Sequence, residues 1–220
     1  MSSPFSFYKS TVGKKIVMAV TGFIGVGYVM GHVCGNLLVF AGPGPLNNYA
    51  HLLKVSKAFL WGARSVLIAA VVLHVVAAYQ LWRTSAESRP TEYVRWSPVN
   101  STWASRTMRW TGPLLLIFIA FHLFHLTGGQ IHPGGAFSEH DVYHNVVTGF
   151  RVWWVSVAYI AAMLALSLHM YHGVWSMFQS VGLNHPRYNG FIRHAATVVT
   201  IVVVVGFISI PVAVLLRLIS

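Results

Sequence analysis

Six histidines of this chain lie where an ionisable side chain is costly: His32, His74, His122, His125, His169 and His172 all fall inside long apolar stretches. A titratable group within a membrane-spanning helix is expensive and points to function by default. A single such histidine is explained by a hydrogen bond to a neighbouring helix; at least one in each of four separate stretches asks for a shared role. A proton relay across a membrane would normally include carboxylates, yet all four acids, Glu87, Glu92, Glu139 and Asp141, fall in connecting segments. Neutral imidazole is instead a good iron ligand, and a helical bundle can hold a flat macrocycle between facing helices. With two axial ligands per haem, four helices can grip two haems.

The elements that must position these rings follow from composition. The chain has 220 residues, 55% of them hydrophobic and only 9% charged, with a mean hydropathy of +0.62. Soluble domains carry about 25% charged residues, so a soluble monomer, a disordered chain and, with the single Cys34, a disulfide scaffold are all excluded. A bilayer core about 30 Å thick needs roughly 20 apolar residues per helix. Five segments meet that need, at approximately 16–41, 59–82, 110–127, 152–178 and 192–218. The predicted architecture is all-α: one integral membrane domain over residues 1–220, a five-helix transmembrane bundle.

Glycine and proline mark the joints at 42–45 and 128–135, and tryptophans gather at the span borders as an aromatic belt. The first apolar run follows Lys9, Lys14 and Lys15 but is roughly twice the length of a signal-peptide core, so it reads as a span. The net charge of +11 sits at the ends of apolar runs, where it meets lipid headgroups, and does not indicate nucleic acid. Lys9, Lys14, Lys15, Arg83, Arg89, Arg95, Arg106, Arg109, Arg187 and Arg193 share one side; Lys54, Lys57, Arg64, Arg151 and Arg217 make up the rest. The positive-inside rule then places the N-terminus in the cytoplasm and the C-terminus outside.

Depth pairs the histidines. At 1.5 Å per residue, His74 and His169 both lie roughly 12 to 14 Å from the inner ends of their spans. They form the inner pair. His32 in the first span and a histidine of the third form the outer pair. Depth favours His122 for that place; the small neighbours Gly128 and Gly129 favour His125. His172, one turn from His169, could cover a haem edge or serve a quinone pocket. His132, His140 and His144 with Asp141 could bind a metal in the outer loop.

The string TGFIGVGYVMGHVCGNLLVFAG from Thr21 to Gly42, followed by PLNNYAHLL, and the later FHLFHLTGG and SLHMYHGVWSMFQSVG resemble the cytochrome b558 subunit of succinate dehydrogenase. Related subunits serve quinol:fumarate reductases. The resemblance implies a membrane anchor of respiratory complex II in the bacterial cytoplasmic membrane, carrying two b haems and handing electrons to a quinone, either menaquinone or ubiquinone. It places the axial ligands on His32 and His122 for the outer haem and on His74 and His169 for the inner haem, favouring His122 over His125. It also implies two partners, a flavoprotein with FAD, where succinate is oxidised, and an iron–sulfur protein. This chain has neither a dinucleotide fingerprint nor cluster-binding cysteines, so those cofactors belong to the partners. Arg83, Arg89, Arg95, Arg106 and Arg109 offer a basic inner face to the iron–sulfur protein.

Other family-level readings are the anchor of a quinol:fumarate reductase and a hydrogenase-type cytochrome b. Quinone-site candidates are Ser10, Lys14, Arg83 and His172 on the inner side and Asn36, Asn47, Asn48, Tyr49 and His51 on the outer. Certain fumarate reductase anchors carry a glutamate two residues before the fourth ligand, associated with transmembrane proton transfer; here that position is Ser167.

Overall fold

The structure, a computed structural model, describes residues 4–88 and 102–220. Arg89, Glu92, Arg95 and Trp96 lie outside the described residues. The elements in order are α1 (Pro4–Lys9), α2 (Thr11–Asn36) with a 3₁₀ turn (Leu37–Ala41), α3 (Pro43–Val55), α4 (Lys57–Glu87), α5 (Trp103–His122) with a π-helical turn (Leu123–Thr127), α6 (Val142–Arg151), α7 (Trp153–Ser180) and α8 (Pro186–Leu215). Five helical stretches are long and apolar enough to cross a membrane: Thr11–Ala41, Lys57–Glu87, Trp103–Thr127, Trp153–Ser180 and Pro186–Leu215.

These helices overrun the apolar runs that announce them. Residues 103–109 and 186–191 are helical although polar, so Arg106 and Arg109 lie in α5, and Arg193 and His194 in α8. Glu87 ends α4 in place of a loop. Hydropathy measures the thickness of hydrocarbon, whereas a helix continues until a cap stops it. Caps account for several starts: the side chains of Ser10, Ser56 and Thr102 accept hydrogen bonds from the backbone N–H groups of Gly13, Phe59 and Ser105. The fifth span ends at Leu215, short of the 218 expected, where Arg217 takes a left-handed φ of 58°.

The joint at 42–45 is likewise not a plain loop. Gly42, with φ 98°, turns the chain and Pro43 opens α3 at its first position, where the missing N–H costs nothing. The segment between the third and fourth spans holds a second short helix, α6, capped by Asp141 Oδ1 accepting from His144 N at 2.9 Å. Asn47 of α3 clamps it: Asn47 Nδ2 donates to Asp141 Oδ1 at 2.9 Å and Asn47 Oδ1 accepts from Tyr143 N at 3.0 Å. Lys54 Nζ adds a bond to Glu139 O at 3.0 Å. α3 and α6 thus close one end of the bundle, the capped end. The other, open end carries the N-terminus, the C-terminal ends of α4 and α7 and the starts of α5 and α8.

Helix α7 is the axis of the molecule, packing on α2, α5 and α8, while α4 lies at the periphery chiefly against α2. Only Ala70 and Ala77 of α4 are buried; Val66, Ile68, Val72 and Leu73 face outward, as lipid contact requires. Val33, Met170, Val174, Ala196 and Val203 join α2, α7 and α8. The α2–α8 approach depends on Gly206, where a Cβ would stand 2.6 Å from Val33 Cγ2.

Candidate cofactor site

The helices bring the four predicted ligands together in two pairs. His74 of α4 faces His169 of α7 with ring centroids 6.3 Å apart, and His32 of α2 faces His122 of α5 with centroids 5.9 Å apart. An imidazole nitrogen ligates a first-row metal at about 2 Å and its ring centroid lies about 1 Å further back, so two rings on opposite sides of one metal stand roughly 6 Å apart. Both separations fit a shared iron.

The open-end pair is oriented by threonines. Thr21 Oγ1 donates its hydrogen to Val17 O at 2.7 Å and lies 3.1 Å from His74 Nδ1. Thr111 Oγ1 donates to Thr107 O at 3.1 Å and lies 3.3 Å from His169 Nδ1. With each hydroxyl hydrogen on its backbone carbonyl, each oxygen accepts, and the partner it fits is an Nδ1 that carries the proton. Nε2 is then a bare lone pair, the form a metal requires. Each threonine is followed by a glycine that lies beside the ring: a Cβ on Gly22 would meet His74 Cε1 at 3.5 Å, and one on Gly112 would meet His169 Cε1 at 3.9 Å, both ordinary contacts.

The capped-end pair is held differently. His122 Nδ1 lies 3.2 Å from the Tyr159 hydroxyl, which His125 Nδ1 approaches at 2.9 Å. His32 is stacked by Tyr28, centroids 5.4 Å apart and planes 13° apart, and packs on Phe207. Its Nδ1 is met at 3.2 Å by the amide nitrogen of Asn36, whose better bond goes to His32 O at 2.8 Å. The same amide nitrogen lies 3.5 Å from His32 Nε2, so this ring is met by a nitrogen donor where the open-end rings are met by threonine oxygens.

Of the two third-span histidines, His122 is the one that faces His32. The π-helical turn carries His125 away from His32 and into the cap, where it is fully buried. It stacks on His132 with centroids 5.1 Å apart. A third threonine–glycine pair serves this region: Thr148 Oγ1 lies 3.1 Å from His132 Nε2, and a Cβ on Gly149 would stand 2.6 Å from His125 Nε2. His172 is half-buried and makes no hydrogen bond among the described residues. His140 and His144 are exposed, and among the described residues no three His, Cys, Asp or Glu side chains gather as a metal site. The outer-loop metal reading is not supported.

Several quinone candidates turn out to be structural. Ser10 caps α2, accepting from Gly13 N at 2.9 Å and donating to Phe7 O at 2.7 Å; Asn47 is spent on the cap. Tyr49 fills the space over Gly35, where a Cβ would stand 2.3 Å from its ring. Sequence reasoning misses the positioning residues Thr21, Thr111 and Tyr159. A signal for the first two exists in the dipeptide Thr-Gly, which occurs at 21–22, 111–112, 127–128 and 148–149.

The geometry is that of a multi-pass, all-α membrane bundle with imidazoles paired across its helices. A family model described as succinate dehydrogenase/fumarate reductase transmembrane subunit matches residues 85–210, more than half of the chain, and the protein belongs to that family. The matched region contains His122 and His169; His32 and His74 precede it. Neither a curated protein nor a solved structure matches the chain. As a family member it is a membrane subunit of a succinate dehydrogenase or fumarate reductase complex and works beside catalytic partners.

Proposed function

We propose that this chain is the dihaem cytochrome b anchor of a succinate:quinone reductase. His74 and His169 hold one haem b near the open end, and His32 and His122 hold a second near the capped end. Bound there, the two haems supply one-electron transfer between a partner's iron–sulfur centre and a membrane quinone. The chain's own residues supply position and dryness. Thr21 and Thr111 hold the open-end rings in the ligating tautomer, Tyr159 meets His122, and the apolar walls of α2 and α7 keep water from the pair.

The observation that carries this reading is the open-end pair. Two imidazoles from different helices stand at the separation of a shared metal, and each has a hydroxyl acceptor at Nδ1 whose hydrogen is already used. A histidine that merely packed would not need its second nitrogen left bare towards another such ring. The basic residues support the open end as the cytoplasmic side, where Arg83, Arg106 and Arg109 would meet the iron–sulfur protein. The flavoprotein with FAD lies beyond it. Succinate oxidation is favoured over fumarate reduction by the resemblance in the histidine motifs, and Ser167, with its hydroxyl turned back to Leu164 O at 2.7 Å, offers no carboxyl for proton transfer.

The test is a pyridine haemochrome assay on the purified complex, with two b haems per chain expected. One haem, or none, would overturn the dihaem assignment. Co-purification of a flavoprotein and an iron–sulfur protein with a tagged chain tests the partners; their absence would overturn the assignment of those two subunits.

A further inference from the structure

Tyr159 sits at the junction of α5, α7 and the cap, with its ring packed edge-on against Phe118 and Phe150 at centroid distances of 4.9 and 4.8 Å. Its hydroxyl is shared by two imidazoles, with His122 Nδ1 at 3.2 Å and His125 Nδ1 at 2.9 Å. A phenol has one hydrogen to give. That hydrogen has an acceptor here only if one of the two Nδ1 atoms is unprotonated, and the oxygen has a donor only if the other is protonated. Both contacts are hydrogen bonds at once only when the two histidines are in opposite tautomers. His125, fully buried, has its Nε2 against Gly149 with no hydrogen-bond partner. Among the described residues the only hydrogen bond its ring makes is the one to Tyr159, beside stacking on Phe121 and His132.

We propose that Tyr159 and His125 are positioning residues for His122: the phenol oxygen accepts the Nδ1–H of His122, and its own hydrogen goes to His125 Nδ1. This rests on the reading of His122 as an iron ligand, because ligation through Nε2 is what places the His122 proton on Nδ1. The direction of the chain follows, and with it the proton of His125, which must sit on Nε2. The consequence is that one haem ligand is tied through a single hydroxyl to the cap, where His125 stacks on His132 and His132 meets Thr148. An Nδ1–H donating to an oxygen makes the ring a stronger electron donor and stabilises ferric iron. Removing the oxygen weakens that donation.

Tyr159→Phe keeps the aromatic ring among Phe118, Phe121 and Phe150 and deletes only the hydroxyl. In a potentiometric titration of the intact complex, the variant is expected to raise the midpoint of one haem and leave the other in place, with two haems still bound. His125→Leu, which keeps the hydroxyl, should move the same haem by a smaller amount. A variant that loses haem or stability without moving either midpoint would mean that Tyr159 only fills space, and equal movement of both would mean that it does not act through His122. A second measurement separates this from the dihaem reading. ¹⁵N NMR of the histidine-labelled full chain should find Nδ1 protonated on one of His122 and His125 and bare on the other, a pattern abolished in Tyr159→Phe. If the chain holds fewer than two haems, the functional reading fails and the NMR pattern still decides the positioning. Identical tautomers in the wild type would overturn it outright.

Discussion

The two histidine pairs have nearly the same separation, 6.3 and 5.9 Å, and are held by different means. At the open end each ring is met by a threonine on a neighbouring membrane helix, and each threonine is anchored to its own backbone one turn earlier. The two halves of that site are built alike from two Thr-Gly dipeptides. At the capped end the partners are unlike. His122 leans on a phenol that serves a second histidine, and His32 has stacking on Tyr28 and an amide from its own helix. The first site is built from α2, α4, α5 and α7; the second, on α2 and α5, takes its neighbours from α7, α8 and the cap. The lesson is that equal ligand spacing does not imply equal sensitivity to the protein around it.

The harshest way to test the division is to remove ligands. His74→Leu or His169→Leu should each reduce haem content from two to one per chain, with the same single component lost from the redox titration in both variants. His32→Leu or His122→Leu should remove the other component. If His74→Leu and His169→Leu removed different components, the pairing would be wrong.

A steric probe gives the next largest effect. Gly206→Ala forces a Cβ to within 2.6 Å of Val33 Cγ2, on the residue following His32, and overpacking of this kind costs about 1–3 kcal/mol. Gly22→Ala at the open end meets His74 Cε1 at 3.5 Å, an ordinary contact. Thermal unfolding of the detergent-solubilised complex should show the first variant destabilised, with its capped-end haem lost first on heating, and the second close to wild type. Equal tolerance would show that α8 does not brace the capped-end pair.

Smaller still is the loss of one threonine oxygen. Thr111→Val is close to isosteric and removes the acceptor at His169 Nδ1, a bond worth about 1 kcal/mol net. The open-end haem should rise in midpoint while the capped-end haem stays, the mirror image of the Tyr159→Phe outcome. Thr111→Ser should restore the wild-type value. Failure of serine to rescue would assign the effect to packing.

Legibility from sequence divides along the same line. The five spans can be read because bilayer thickness demands a run of apolar residues that little else produces, and the pairing can be read because depth is simple arithmetic along a helix. The short helices α3 and α6 cannot. Pro43 and Gly44 look like breakers until Gly42 turns the chain and makes Pro43 a helix start, and α6 is held by Asn47, 94 residues from Asp141. Helix ends are hidden wherever polar residues continue the helix beyond the lipid, as in α5 and α8. The partners at Nδ1 escape because they depend on how helices are rotated against each other, which periodicity does not report. Tyr159 is one of nine tyrosines and nothing in its neighbourhood of sequence sets it apart.

The least drastic probe is acid, and at the cap two groups answer it. His132 lies outside the membrane-spanning segments, and burial holds its pKa below the ordinary 6.5; the nearby His144 pushes the same way and the backbone carbonyl of His125 opposes both. A histidine whose folded pKa is lowered contributes stability that is complete above the unfolded value of 6.5 and declines as pH falls below it towards the folded pKa. Asp141 adds a second, more acidic step. Its carboxyl is held below 3.8 by the His144 amide and the Asn47 side chain, so its contribution is complete above 3.8 and is lost as pH falls through the folded pKa. Both steps loosen the cap on acidification. Hydrogen exchange, corrected for its intrinsic pH dependence, should therefore rise in α3 and α6 as pH is lowered from about 7.5 to about 5.5, a window that brackets the unfolded histidine value. His132→Gln should remove this first step without touching the second. Since Tyr159 ties His122 to this region through His125, the capped-end midpoint should also become pH-dependent over the same interval in the wild type and lose that dependence in Tyr159→Phe. Equal loosening of both ends would mean that the cap is not an independent unit, and the contrast between the two pairs would then have to rest on the helices alone.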